Sequence, residues 1–129
     1  LKRAGRKAAI LSGGELTVTL RGKGRGGPNQ EYALALALAL NGESGIVALA
    51  CDTDGTDGGQ GLASDPAGAL VDSRTLTRAR SNGVDAAACL ADNDSTRFFA
   101  AAGDLVITGP TRTNANDLRV LLIDPQAAG

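Results

Sequence analysis

Short apolar runs bounded by glycine or polar residues predict most of the strands of this chain. Residues 8–12 form a buried strand by this criterion, and residues 46–51 are continuously apolar, as in a central strand covered on both faces. Residues 16–21 alternate Leu or Val with Thr, and the short link Gly13-Gly14-Glu15 predicts a hairpin between them and the first strand. Further strands are predicted at residues 67–71, 105–108 and 118–123.

Residues 29–40 predict a helix, although Leu recurs there with the period of two that a strand would show. The intervening residues are Ala and define no polar face, and Ala and Leu are the strongest helix formers. Pro28 suits a first helical position, and Asn41-Gly42 is a typical helix end. Shorter helices are predicted at residues 73–81, 85–91 and 95–102. The alternation of elements predicts an α/β fold, a single domain with a mixed β-sheet flanked by helices.

Composition narrows the possible functions. At 129 residues with 43% hydrophobic residues, the chain is expected to form one domain over residues 1–129. It contains no His, which excludes a His base and a His metal site within the chain. The net charge of -1 does not indicate nucleic acid, and no apolar run predicts a membrane span. Two isolated cysteines without a CxxC motif favour a reduced, cytoplasmic protein. The first residue is Leu, so we expect a piece of a longer protein.

The first of three polar loops, residues 22–30, combines glycines with Lys23 and Arg25 and precedes the predicted helix. Exposed helix N–H groups and nearby cations favour anions. The Walker A pattern is absent, and the G-x-G-x-x-G spacing at Gly22, Gly24 and Gly27 lacks a well-placed acidic residue for a ribose. The loop therefore indicates phosphate or carboxylate binding, with a plain surface loop as the alternative.

The second loop, Asp52-Thr-Asp-Gly-Thr-Asp57, places carboxylates directly after a buried strand, which suits a hard cation such as Mg²⁺. An EF-hand is excluded, because Thr56 and Ala63 occupy positions where that loop needs carboxylates. An Asx-rich turn is the structural alternative.

The third loop, residues 108–117, gathers hydroxyls and amides that suit a compact polar substrate, or that satisfy one another in a structural loop. If all three loops fall on one edge of the sheet, their joint chemistry is that of a phosphoryl-transfer or hydroxy-acid site.

Several motifs of the chain resemble, in order and over nearly its whole length, the MOFRL domain. This Leu-rich domain is the C-terminal part of bacterial-type glycerate 2-kinases, a family that also carries the name hydroxypyruvate reductase. The resemblance lies in Leu11-Ser-Gly-Gly-Glu15, Gly24-Arg-Gly-Gly-Pro-Asn-Gln-Glu31, Asp52-Thr-Asp-Gly-Thr-Asp-Gly58, Asp92-Asn-Asp-Ser95 with Phe98-Phe99, and Gly103-Asp-Leu-Val-Ile-Thr-Gly-Pro-Thr111 with Thr113-Asn114 and Asn116-Asp-Leu-Arg119.

The resemblance implies a two-domain enzyme with an N-terminal Rossmann-like domain in the same chain. The two domains would enclose a cleft in which ATP, with Mg²⁺, phosphorylates D-glycerate to 2-phosphoglycerate. It also implies that the isolated domain is inactive. Two alternatives stay open, an NAD(P)H-dependent hydroxypyruvate reductase and a non-catalytic docking module.

The same resemblance implies roles for individual residues. Arg25 and Lys23 would be catalytic and stabilise phosphate charge, and Asp54 and Asp57 would bind a metal ion. Substrate-binding residues would be Asn29, Gln30, Glu31, Asp52, Thr111, Thr113, Asn114 and Asn116.

Overall fold

Five strands form one sheet in the computed structural model, which describes residues 2–126. They are β1 (Ala8–Gly14), β2 (Ile46–Asp52), β3 (Gly68–Val71), β4 (Leu105–Val106) and β5 (Asp117–Ile123). The order is β1-β5-β2-β3-β4, and each of these neighbouring pairs is antiparallel.

This topology confirms the expected α/β domain. The sheet, however, is antiparallel, whereas the sequence predicted a mixed one. A helix lies between β1 and β2 in the sequence, and the two strands run in the same direction. They are not neighbours, however, because β5 lies between them and runs against both. The link from β2 to β3 contains no helix and returns the chain in the opposite direction.

Four helices confirm the predicted helical segments: α1 (Pro28–Leu40), α2 (Thr75–Ser81), α3 (Ala86–Ala91) and α4 (Ser95–Ala102). Residues 2–4 add one 3₁₀ turn. Helix α1 begins with Pro28 and ends at Leu40, and its C-cap Asn41 has a left-handed φ of 48°. It packs on β2 and β3, and the three shorter helices pack around it. Among residues 2–126, no helix has both the length and the apolar character that a bilayer span requires.

The core consists mainly of small side chains, which allow α1 to approach the sheet closely. Ala33, Leu34 and Ala37 of α1 are buried together with alanines of β2 and β3. Phe98 and Phe99 of α4 are fully buried, with ring centroids 4.9 Å apart in an edge-to-face arrangement. This compact layer fixes the start of α1 against the ends of the strands.

The predicted strand at residues 16–21 is wrong, and so is the hairpin that would join it to β1. The partner of β1 is β5, and residues 15–21 form no strand. The Leu16 N–H donates to the Asp117 carboxylate at 2.6 Å, which is a side-chain contact and not a backbone hydrogen bond between paired strands. The segment therefore leads the chain from the edge strand to the glycine-rich residues that follow.

Candidate functional site

The glycine-rich residues 22–27, hereafter the glycine loop, are held by the link between α3 and α4. The Gly24 N–H donates to the Asp92 carbonyl at 2.9 Å, and the Lys23 N–H donates to the Asp92 carboxylate at 3.1 Å. The Arg25 N–H donates to the Asp94 carboxylate at 3.1 Å. The backbone amides of Lys23, Gly24 and Arg25 are thus used to fix the shape of the loop, while the side chains of Lys23 and Arg25 stay exposed.

Asn93 ties the start of the glycine loop to α1. Its side-chain oxygen accepts from the N–H groups of Arg21 and Gly22 at 2.6 and 2.9 Å, and its amide donates to both Glu31 carboxylate oxygens at 2.9 and 3.0 Å. Asn93 is buried and has a positive φ of 53°. Sequence reasoning gave it no role; the available signal was an Asn between two short helices, where a left-handed residue is common.

The N-terminus of α1 is capped by Asp57. One carboxylate oxygen accepts from the backbone and side-chain amides of Asn29 at 3.0 and 3.1 Å. The other accepts from the backbone and side-chain amides of Gln30 at 2.8 and 3.1 Å. All three residues are buried. The expected free anion site at this helix start is therefore wrong for the backbone amides, because a carboxylate of the protein occupies it.

A buried polar network continues from Asn29 along the helical face of the sheet to β5 and the edge strand β1. The Asn29 amide also donates to Asp117 at 2.7 Å, whose second oxygen accepts from the Leu16 N–H. Arg119, two residues further on, donates to the Ser12 hydroxyl at 3.0 Å and lies 5.5 Å from the Tyr32 ring centroid. Asp117 and Arg119 belong to the quoted motifs but received no role from the sequence. In the structure they join the edge strand to the start of α1.

Residues 52–58, hereafter the aspartate loop, contact the glycine loop at distances that only glycine permits. A Cβ at Gly27 would overlap the Asp57 backbone, and a Cβ at Gly58 would overlap the Gly26 carbonyl. These glycines are therefore required for packing between the two loops.

The aspartate loop also contacts residues 108–116, hereafter the threonine loop. The Thr53 N–H donates to the Asn116 carbonyl at 2.9 Å, and the Thr53 hydroxyl accepts from the Ala115 N–H at 2.8 Å. The Thr111 hydroxyl donates to the Thr53 carbonyl. Asp52 pairs with Asp117 across the sheet, so these loops leave the same edge. The expectation that the three polar loops meet at one edge is confirmed.

Burial divides the predicted site residues into groups that could and could not contact a ligand directly. Asn29, Gln30 and Asp57 are buried and hydrogen-bonded to one another, while Glu31, Asp52 and Asp54 are half-buried. The exposed group comprises Lys23, Arg25, Thr111, Thr113, Asn114 and Asn116. The ligand-accessible surface of this edge is therefore cationic on the glycine loop and rich in hydroxyl and amide groups on the threonine loop.

Asp52 and Asp54 concentrate negative charge beside these exposed groups. Burial raises the pKa of the Asp52 carboxyl, and the charges of Asp54 and Asp117 raise it further, against the lowering effect of a hydrogen bond from the Asp54 N–H. Within residues 2–126 no cluster of three or more His, Cys, Asp or Glu has metal-binding geometry. Because Asp57 already accepts four hydrogen bonds, metal binding by Asp54 and Asp57 stays a prediction.

An apolar groove of about 590 Å³ lies beside the glycine loop, between residues 16–21 and helices α1 and α3. Leu16, Val18, Tyr32 and Leu90 contribute to its walls. It offers apolar contact area next to the polar edge, and Thr17, Thr19 and Glu31 add hydrogen-bonding groups to its lining.

Comparison with known proteins relates this arrangement to one family. A family model described as "MOFRL family" matches residues 8–117. An Agrobacterium vitis protein named "Putative hydroxypyruvate reductase" is 55% identical over 118 residues, which cover 90% of this chain and 26% of that protein. The D-glycerate 2-kinase of Thermotoga maritima is 45% identical over 116 residues, covering 90% of this chain and 27% of the kinase.

A solved structure shows the same fold. The crystal structure of a glycerate kinase from Thermotoga maritima superimposes with a TM-score of 0.82 at 44% identity, covering 90% of this chain and 27% of that one. The chain thus spans about a quarter of the length of the curated relatives it matches.

Proposed function

Since the chain belongs to the MOFRL family, we propose that it forms one wall of the active-site cleft of a glycerate 2-kinase. In this proposal the cleft binds ATP and D-glycerate, and an N-terminal Rossmann-like domain of the same polypeptide forms the other wall. The observation that carries it is the pair of exposed cations, Lys23 and Arg25, on a loop whose backbone is fixed by Asp92 and Asp94.

Cations suit phosphoryl transfer because the transferred group carries negative charge spread over its oxygens. The backbone that carries Lys23 and Arg25 is already fixed, so only their side chains have to order when that charge develops. No salt bridge within residues 2–126 engages Lys23 or Arg25, so both side chains are available to phosphate. The neighbouring hydroxyls and amides of Thr111, Thr113 and Asn114 suit the hydroxyl and carboxylate groups of glycerate.

The donor set at the aspartate loop fits Mg²⁺ better than a softer metal, because its free side-chain donors are carboxylate oxygens. Asp52 and Asp54 would hold the ion, since Asp57 is committed to α1. When bound, Mg²⁺ would neutralise part of the phosphate charge of ATP.

Replacing Arg25 tests the role of the glycine loop. In the full-length protein, Arg25→Ala should lower kcat with ATP and D-glycerate by about 10²–10³, because it removes one charge-stabilising group. Arg80→Ala is the matched control, since Arg80 is an exposed cation on α2 and should leave kcat and KM unchanged. Steady-state kinetics with unchanged kcat and KM for Arg25→Ala would remove the phosphate role and favour a docking module.

The name of the Agrobacterium vitis relative keeps a hydroxypyruvate reductase as the second candidate. The same full-length protein distinguishes the two activities by its products. Formation of 2-phosphoglycerate from ATP and D-glycerate supports the kinase. NADH oxidation with hydroxypyruvate, without any phosphorylation, would contradict it. The 129 residues alone should show neither activity, because one wall does not enclose a cleft.

A further inference from the structure

One face of the sheet, hereafter the outer face, is entirely apolar. The strand register places Leu11, Val120, Leu49 and Leu70 in one row across β1, β5, β2 and β3. Neighbouring rows contain side chains of the same kind. Together the outer face comprises Ala9, Leu11, Gly13, Val47, Leu49, Cys51, Gly68, Leu70, Val106, Leu118, Val120 and Leu122, with no charged, amide or hydroxyl side chain.

Within residues 2–126, the hydrophobic core lies on the other side of the sheet and does not cover the outer face. The buried cluster takes its strand residues from the opposite face, where Ala48, Ala50, Ala69 and Val71 pack against the helices. On the outer face, Leu11 is 67% exposed and Leu122 is 51% exposed. Exposed apolar patches of this extent mark interaction surfaces.

The sequence pattern of the strands indicates that the outer face is normally covered. An antiparallel sheet with one face in water alternates apolar and polar residues. Residues 46–51 do not alternate, and residues 118–123 break their apolar run only at Arg119, which points to the helical side. Continuous apolar strands are typical of sheets with helices on both faces.

We propose that the outer face binds an apolar helical layer supplied by the rest of the same polypeptide. The length of the relatives supports this occupant, because this chain matches only about a quarter of each. A layer that covers residues from β1 to β3 would turn the two-layer domain into a three-layer one.

This packing has a consequence for the site. The outer face extends to Cys51, which directly precedes Asp52 and the aspartate loop. A layer seated on the outer face therefore determines where the polar edge, with Lys23 and Arg25, lies relative to the remaining residues of the cleft.

Cysteine labelling of the full-length protein tests the proposal without using catalysis, so its outcome is independent of the proposed kinase activity. Leu122→Cys places a thiol on the outer face in β5, between Ala9 of β1 and Val47 of β2, and Ala88→Cys places a matched one on an exposed position of α3. We expect a small maleimide to label Cys at position 122 about tenfold or more slowly than Cys at position 88. Peptide mass spectrometry on native protein measures both rates.

Two results would overturn the proposal. Equal labelling rates would show an open face, and protection that disappears on dilution as an oligomer dissociates would show that a second copy covers it. If Leu122→Cys does not fold, judged by circular dichroism, Leu11→Cys on the edge strand carries the same test. Leu11 is more exposed than Leu122, at 67% against 51%, so its replacement disturbs the sheet less.

Discussion

Asp57 occupies the place at the start of α1 where a bound anion sits in many phosphate-binding loops. Asp57 is 3% exposed, and within residues 2–126 its carboxylate receives hydrogen bonds only from Asn29 and Gln30. The charge of Asp57 is therefore stabilised by the helix N-terminus and by amide donors rather than by a cation. For a ligand phosphate, this leaves the side chains of Lys23 and Arg25.

Removing the charge of Asp57 should destabilise the start of α1. Asp57→Asn turns one acceptor oxygen into a donor that faces two N–H groups, and such a buried mismatch costs about 1–3 kcal/mol. We expect the free energy of local opening at the first amides of α1 to fall by this amount. Hydrogen exchange on the full-length protein measures it.

Asp65→Asn is the matched control, because Asp65 also accepts four hydrogen bonds but all on one oxygen at the surface. An Asn can place its carbonyl oxygen there, so a change below about 1 kcal/mol is expected. An equal fall in the opening free energy for both variants would mean that the burial of Asp57 does not contribute to the stability of α1.

For individual residues, the sequence predicted which polar side chains belong to the site. It did not predict which of them are buried and which are exposed. Asn29, Gln30 and Asp57 have the same side-chain chemistry as ligand-binding residues, and nothing local to either segment shows that they bind each other. Their burial follows from the close approach of Gly27 to Asp57, which is a contact between segments distant in sequence.

Among the larger elements, helices were predictable and strand pairing was not. The Ala and Leu content of residues 29–40 outweighs their period of two, and α1 ends at Leu40 as the Asn-Gly signal indicates. Residues 16–21 show the opposite case. Their Thr and Val residues favour a strand, but β1 pairs with the distant β5 instead, and residues 16–21 form no strand along its other side.

The contact between the aspartate and threonine loops can be broken at one glycine. Gly55→Ala places a Cβ against the Gly109 carbonyl, whereas Gly61→Ala meets no atom within 4 Å. Both positions have a positive φ, 96° and 84°, so the two variants share the backbone strain. Gly55→Ala should therefore lose about 1–3 kcal/mol more, the usual cost of overpacking.

Thermal unfolding of the two glycine variants measures this difference, and kinetics with D-glycerate shows whether separation of the loops raises KM. Equal midpoints would contradict the packing of Gly55 on the threonine loop.

For the molecule as a whole, β5 is the element on which the sheet depends. It lies between β1 and β2 and joins the edge strand to the rest of the sheet. The sequence could predict most of the elements and their order, but the insertion of β5 between β1 and β2 is a long-range arrangement that no local pattern specifies. The antiparallel pairing of β1 and β2 with β5 followed from it.

A proline in β5 should unfold the domain. Val120→Pro removes a ladder donor opposite Leu11 and Leu49, at a cost of about 3 kcal/mol or more. Leu20→Pro is the control, because residue 20 is 80% exposed and belongs to no strand. Circular dichroism and soluble yield compare the variants, and a folded Val120→Pro protein would contradict the central position of β5.

The position of β5 also affects how the domain forms during synthesis. Within residues 2–126 the strand β1 pairs only with β5, the last of the five strands to leave the ribosome. Until then Ala8–Leu11 is an apolar segment without a partner strand, and the contacts that complete the sheet have large sequence separation. We therefore expect the sheet to close after translation of Ile123, and the nascent chain to be a substrate for chaperones that bind extended apolar segments.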